Sequence, residues 1–113
     1  MPFTLTATTA WLLLLVAGLL EIVWAVSLKA SGGFARRDFT VIAIVVAWLS
    51  FWLLGLAMRV LPAGTAYAVW TGIGAVGVAL LGVMLFGEPL TFARMACIGL
   101  IVTGILGLRL LAQ

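Results

Sequence analysis

Four long apolar segments make up nearly the whole chain, and short segments between them hold most of the charged and turn-forming residues. Hydrophobic residues are almost continuous over residues 10–28, 39–58, 65–86 and 91–111. Each segment has about the 20 residues that a helix needs to cross the hydrocarbon core of a bilayer. The pattern therefore predicts an all-α membrane protein with four transmembrane helices, which form a single domain over residues 1–113.

The connecting segments contain residues that end helices. The Gly32–Gly33 pair breaks the helix in the first connection, residues 61–64 form a tight turn, and Pro89 stops the third span because proline cannot continue a helix. Residues 1–9 are rich in threonine, and we expect them to form a frayed lead. This lead has no basic residue and no cleavage-site pattern follows the first span, so we expect that span to be retained rather than removed as a signal peptide.

The composition excludes several classes of protein. Hydrophobic residues make up 66% of the chain and charged residues 8%, whereas soluble domains carry about 25% charged residues. So few polar groups cannot cover a globular surface in water, and the six basic residues near span ends are typical of interfacial anchors rather than of a nucleic-acid surface. With one cysteine, no histidine and no phosphate-binding loop, we expect no metal site, no cofactor and no ATP-driven chemistry.

One acidic residue, Glu21, lies within an apolar span. A carboxylate in hydrocarbon is costly, and acidic residues inside membranes usually face a cavity or a partner and mark the path of an ion or substrate. The alternative is a neutral, hydrogen-bonded group that only contributes to packing. We interpret Glu21 as the functional centre of the chain because intramembrane acids most often have such a role.

Small and aromatic residues share the predicted face of Glu21, since positions three and four apart are neighbours on a helix. In the first span these residues are Ala17, Gly18, Trp24 and Ala25. A similar stripe in the third span consists of Tyr67, Trp70, Thr71 and Gly74. Small side chains would leave room, Ser50 of the second span would add a hydroxyl, and aromatic faces attract cations in a desolvated site. The set predicts a cation-binding cavity, with plain packing or interfacial placement as the alternative for its aromatic residues.

Three other tryptophans, Trp11, Trp48 and Trp52, are expected to face lipid or the membrane interface. Burial in an apolar span favours the neutral form of Glu21, which either a proton or a bound cation can produce. The two therefore compete, and if the empty ionised site reorients poorly, proton-loaded and cation-loaded states alternate across the membrane. This is exchange transport; a passive channel and a scaffolding subunit are the alternatives, and the absence of a nucleophile–base pair argues against an enzyme.

The number of spans predicts an oligomer, because four short helices cannot both enclose a substrate-sized cavity and seal it. The connections on one side of the membrane carry four cations and the other side carries two. This bias is too weak to set one orientation. Parallel and antiparallel dimers therefore both remain open from the charge pattern.

Glycines in three of the spans permit close contact between helices in lipid. The fourth span offers a predicted dimer contact at Gly99, Gly104 and Gly107. The third span offers either a bend or close packing at Gly72, Gly74 and Gly77. Gly18 would support the site from the first span.

Two strings of residues carry a resemblance to a known family. The longer one runs from Leu61 to Gly74, LPAGTAYAVWTGIG, and the shorter one begins at Ser50, SFWLL. With four spans and Glu21 in the first, they make the chain resemble the small multidrug resistance family over nearly its whole length. The first span resembles the guanidinium exporter branch, because Trp24 stands where the multidrug branch typically has glycine.

The resemblance implies an antiparallel homodimer in the bacterial inner membrane that exports guanidinium-type cations in exchange for protons. Glu21 would be the carboxylate shared by proton and substrate. The residues that form the binding site and orient Glu21 would be Trp24, Ser50, Tyr67 and Trp70. The resemblance also implies a bend over residues 72–77 and a dimer contact in the fourth span. A planar guanidinium presents paired N–H donors to a carboxylate, which a quaternary ammonium cannot do. The alternative is a broader exporter of quaternary ammoniums and hydrophobically substituted guanidiniums.

Overall fold

A computed structural model describes residues 6–111 as four helices. These helices are α1 (Ala7–Ala30), α2 (Arg37–Ala57), α3 (Ala63–Phe86) and α4 (Phe92–Leu111). All four are long and apolar enough to cross a membrane. The predicted fold class, an all-α protein with four transmembrane helices, is confirmed.

The start of α1 differs from the predicted frayed lead. The side chain of Thr6 accepts a hydrogen bond of 3.1 Å from the backbone N–H of Thr9, so Thr6 is the N-cap and the helix begins at Ala7. Threonine is favourable at this position because its oxygen satisfies one of the free N–H groups of the first turn. The prediction was therefore wrong for residues 7–9, and for residues 1–5 it lies outside the described part of the chain.

Left-handed glycines end two of the helices where the sequence placed the breaks. After α1, Gly32 and Gly33 have φ angles of 62° and 72°. At the end of α3, Gly87 has a φ of 67°, and the N–H of Glu88 bonds to the carbonyl of Gly82 at 3.2 Å. The N–H of Gly87 bonds to the same carbonyl, which would otherwise have no partner at the end of the helix, and the left-handed backbone at position 87 favours glycine.

Helices α1, α2 and α3 pack against one another, and α4 lies along α3. Helix α1 packs along both α2 and α3, α2 and α3 also touch each other, and the backbone of α4 is close only to that of α3. Helix α4 has no fully buried residue in its described length. The described chain is thinner in one direction than in the others, with principal extents of 41 × 35 × 16 Å.

Glycines bring α1 and α3 into close contact. A Cβ atom added at Gly18 would lie 2.8 Å from the Cβ of Ile73, and one added at Gly77 would overlap Ile22. On the other side of α3, a Cβ at Gly72 would lie 2.7 Å from a side-chain atom of Ile105 in α4. Since α3 is one continuous helix, these glycines have a packing role here, and the bend remains a prediction.

The lipid-facing tryptophans follow the prediction in two cases. Trp48 is 70% exposed and Trp52 is 50% exposed on the outer side of α2. Trp11 is instead half-buried, with the guanidinium of Arg109 placed 4.9 Å from the centroid of its ring. The third tryptophan therefore joins α1 to the end of α4.

We predict that Gly18→Ala destabilises the chain more than Gly55→Ala. Both substitutions gain the same intrinsic helix propensity of about 1 kcal/mol, but only the first forces a methyl group against Ile73, because Gly55 has open space around it. The difference between their free energies of unfolding should be about 1–3 kcal/mol. Unfolding by dodecyl sulfate in mixed micelles, followed by circular dichroism, measures it. Equal stability of the two variants would mean that α1 and α3 can separate without loss.

Candidate functional site

Glu21 lies near the middle of α1, and its carboxyl group rests directly on the backbone of α3. A Cβ atom added at Gly74 would overlap the carboxyl carbon and oxygen of Glu21. Any other residue at position 74 would therefore displace the carboxylate or separate the helices. Glycine at this position is what allows a half-buried carboxylate to fit between α1 and α3.

Two polar atoms at this point have no hydrogen-bond partner within the described residues. They are the Oε1 atom of Glu21 and the Nε1 atom of Trp24, and both are buried. An unpaired buried donor or acceptor costs about 1–3 kcal/mol, so such atoms are uncommon and call for an explanation. Here an acceptor and a donor lie three residues apart on α1, and neither is used by the chain itself. A ligand with its own donors is a direct explanation for the free carboxylate oxygen.

Ser50 connects the three helices around the site. Its hydroxyl donates a hydrogen bond of 2.7 Å to the backbone carbonyl of Ala17 and accepts one of 3.0 Å from the indole Nε1–H of Trp70. All three groups are buried, with Ser50 at 0% and Trp70 at 3% exposure. Because a hydroxyl has one proton to donate, Ser50 has none left for Glu21. Its influence on Glu21 in this arrangement runs through the carbonyl one turn earlier in α1.

Aromatic rings form a continuous row beside Glu21. The ring centroids of Trp24 and Phe51 are 6.1 Å apart, those of Phe51 and Trp70 are 5.2 Å apart, and those of Trp70 and Tyr67 are 5.4 Å apart. Tilted pairs at these distances are favourable for aromatic rings. Phe51 was not predicted as a site residue, although it joins the row at its centre. Its position next to Ser50 in the SFWLL string was the available signal.

The aromatic row is open on one side. Phe51 is 50% exposed and Tyr67 is 54% exposed, whereas Trp70 behind them is buried. Ring faces attract cations more strongly when the site is shielded from water. The described chain provides one wall of such a site, with the carboxylate of Glu21 at its edge.

The small residues of α1 have a different role from the predicted one. Ala17 is completely buried, and Gly18 is in contact with Ile73, so both allow the helices to approach rather than leave room for a ligand. Space for the carboxylate comes from Gly74 instead. The three glycines of α4 predicted for a dimer contact have no atoms within 4 Å of an added Cβ; they are Gly99, Gly104 and Gly107.

Comparisons with known proteins agree with this architecture. Residues 9–101 match the family described as Small Multidrug Resistance protein. The chain is 55% identical over 101 residues to a protein of Yersinia pseudotuberculosis serotype I named guanidinium exporter, and the match covers 89% of this chain and 97% of the relative. A guanidinium exporter of Salmonella typhimurium strain LT2 is 54% identical over 104 residues, covering 92% of this chain and 99% of the relative.

We predict an energetic coupling between Ser50 and Trp70. Ser50→Ala leaves the indole N–H of Trp70 buried without an acceptor, and Trp70→Phe removes that donor, so the double variant should lose less stability than the sum of the single variants. The coupling should be about 1 kcal/mol. A double-mutant cycle of unfolding free energies measures it, and Trp52→Phe provides the control because Trp52 is exposed to lipid. A coupling no larger than that of the control would refute the hydrogen bond.

Proposed function

The chain belongs to the small multidrug resistance protein family, and from this premise we propose that it exports guanidinium across the bacterial inner membrane in exchange for protons. The observation that carries the proposal is the free carboxylate oxygen of Glu21, placed on Gly74 at the end of a row of aromatic rings. The two relatives described above are named guanidinium exporters, which supports the same substrate.

Guanidinium fits the donors and acceptors of this site. A planar guanidinium carries paired N–H groups that can bond to one carboxylate through two parallel hydrogen bonds. Glu21 would accept these bonds, while the faces of Trp24 and Phe51 attract the positive charge. A tetrahedral ammonium with four carbon substituents has no N–H to donate and would leave the carboxylate unpaired.

Proton exchange follows from the single carboxylate. When Glu21 is ionised it binds either the cation or a proton, and both restore a neutral site. An empty ionised site in the apolar part of the membrane is costly, so the states that cross are the two neutral ones. Alternation between them moves one cation outward for the protons that return, with no nucleotide required.

We place the site in an antiparallel homodimer. Phe51 and Tyr67 are open on one side, so a single chain supplies one wall, and a second copy facing it would supply the other. Gly99 and Gly104 of α4 are exposed and Gly107 is partly exposed, and they offer a surface for close contact between subunits because small residues allow helix backbones to approach in lipid. Two copies of Glu21 would then share one cavity and titrate as a pair.

The remaining predicted residues have supporting roles in this proposal. Trp70, fixed by Ser50, would hold Phe51 and Tyr67 in the wall of the cavity. Gly74 would keep the carboxylate in place, and the glycines at positions 72 and 77 would permit α3 to bend between the two access states.

Broader transport of hydrophobic cations is the second candidate. The exposed ring of Phe51 favours this candidate, because an apolar substituent on a guanidinium could pack against that ring. A substituted guanidinium that keeps two N–H groups on one edge would still pair with Glu21. Such substrates extend the proposed activity, whereas quaternary ammoniums would need a different mode of binding.

We predict that purified protein in liposomes exchanges guanidinium for protons and that Glu21→Gln abolishes the exchange. The substitution keeps the shape of the side chain but removes the charge that binds both substrates. Uptake of guanidinium and the opposing proton flux can be measured together, with tetramethylammonium as the comparison cation. Transport that persists in Glu21→Gln would assign Glu21 a packing role, equal transport of both cations would favour the multidrug alternative, and guanidinium flux independent of the proton gradient would indicate a channel.

We also predict that guanidinium binds more weakly as the pH falls. Protonation of Glu21 removes the acceptor that the cation needs, so the affinity should fall by up to about tenfold for each unit of pH once the site is mostly protonated. Isothermal titration calorimetry between neutral and acidic pH gives the dependence. Asp38→Asn and Glu88→Gln are the matched controls, because Asp38 lies in the first turn of α2 and Glu88 follows the end of α3. Both substitutions should leave the pH dependence of guanidinium binding unchanged. Affinity that does not vary with pH would exclude the competition.

A further inference from the structure

An apolar groove runs along a second region of the chain, away from the carboxylate of Glu21. Helix α3 forms its floor, and α1 and α4, whose backbones are not in close contact, form its walls. One part has a volume of about 320 Å³ and is lined mainly by Leu12, Leu15, Val69, Ile73, Ile105 and Leu106. A second part of about 250 Å³ shares Ile73 and Ile105 with the first and continues to Ile22 and Val102.

The length of this groove suits one hydrocarbon tail. Its lining on α1 extends from Thr8 to Ile22, which at 1.5 Å per residue is about 21 Å along the helix. One leaflet of the hydrocarbon core is about 15 Å thick, half of the whole. A groove of this length can therefore hold an acyl chain from the membrane surface to the middle of the bilayer.

A cation lies at the end of the groove. The guanidinium carbon of Arg109 lies 4.9 Å from the centroid of the Trp11 ring, and both side chains line the wider part of the groove. A cation–π contact of this kind gives the guanidinium N–H groups no polar acceptor, so they remain available to a ligand. Within residues 6–111, no hydrogen bond or ion pair occupies them, whereas Arg94 at the opposite end of α4 pairs with Glu88 at 3.7 Å.

A smaller and more polar pocket adjoins the same cation. It has a volume of about 150 Å³ and is lined by Ala7, Thr8, Trp11, Val60, Leu61, Pro62 and Arg109. The start of α1, the turn after α2 and the end of α4 therefore meet here. The pocket and the groove share Thr8, Trp11 and Arg109, so a polar compartment opens directly into an apolar one.

The charges at this end of the chain favour an anion. The sequence has three acidic residues. Glu21 lies in mid-span, and Asp38 and Glu88 lie at the other end of the helices, away from Arg109. Arg59 and Arg109 are the ionised side chains on this side. An end with cations and no acidic side chain attracts the negative headgroups of membrane lipids.

We propose that this groove binds an anionic phospholipid, with its phosphate on Arg109 in the polar pocket and one acyl chain along α3. The occupant is defined by two complementary features that meet at one residue, namely a guanidinium edge for the phosphate and an apolar channel for the tail. A soluble phosphate compound would use only the first feature and a neutral lipid only the second.

The headgroup end of the proposed lipid site lies on a different side of α4 from two of the three glycines of the predicted dimer contact. At 100° per residue, Gly104 and Gly107 lie about 140° and 160° around the helix from Arg109, whereas Gly99 lies about 80° from it. The lipid site does not overlap the proposed transport site, because Phe51 and Tyr67 do not line the groove. Lipid binding can therefore be altered without changing the groups that hold guanidinium.

The test measures lipid retained by the protein after reconstitution in vesicles of equal parts phosphatidylglycerol and phosphatidylcholine. Native mass spectrometry after gentle extraction counts the lipids on each variant. Wild type should retain phosphatidylglycerol in preference, and Arg109→Gln should lower that preference about fivefold, as expected for one basic residue at a membrane surface. Arg59→Gln is the matched control at the same end and should change it less than about twofold. Arg109→Lys, which keeps the charge, should retain part of the preference.

A second pair of variants tests the apolar channel. Leu106→Trp fills the groove and should lower the retention of both lipids, whereas Met84→Trp, on an exposed part of α3 outside the groove, should not. If Arg109→Gln fails to fold, this pair of variants still tests whether the groove binds lipid. The proposal is overturned by equal effects of Arg59→Gln and Arg109→Gln, by retention unchanged in Leu106→Trp, or by inorganic phosphate that displaces the lipid at equal concentration.

Discussion

The packing of Glu21 against the backbone of Gly74 is the constraint on which the rest of the structure depends. A carboxylate within an apolar helix is costly, and its position must be held if it is to bind a cation in one geometry. A second glycine contact, between Gly18 and Ile73, holds α1 and α3 together one turn away. Because helices in lipid gain no hydrophobic drive to associate, this close fit is a main source of their attraction.

Some polar groups around the site are hydrogen-bonded within the chain, and others are left without a partner in the described residues. Ser50 and Trp70 satisfy each other and a carbonyl of α1, and together they fix α1, α2 and α3 without using the carboxylate. Glu21 and Trp24 keep a free acceptor and a free donor a short distance away. A site whose supporting bonds are already made needs little rearrangement when a ligand arrives, which lowers the free-energy cost of binding.

The sequence predicted the features that depend on local pattern. Long apolar segments and the glycine and proline breaks between them were sufficient for four helices, and the isolated charge was sufficient to single out Glu21. The partner of Ser50 could not be predicted, because residue spacing within one helix does not tell which atoms of another helix a side chain meets. The same limit explains why Phe51 was missed and why Ala17 was interpreted as space rather than as contact.

Helix α4 has a different relation to the chain from that of the other three helices. It has no fully buried residue in its described length and touches the other helices mainly through Ile105 at Gly72 and through Arg109 at Trp11. A helix with so few contacts within its own chain gains its position in the membrane from lipid or from another copy. The three helices that carry Glu21, Ser50 and the aromatic row are joined to one another without it. Contacts that α4 makes with lipid or with another copy would therefore be physically separable from the proposed cation site on α1, α2 and α3.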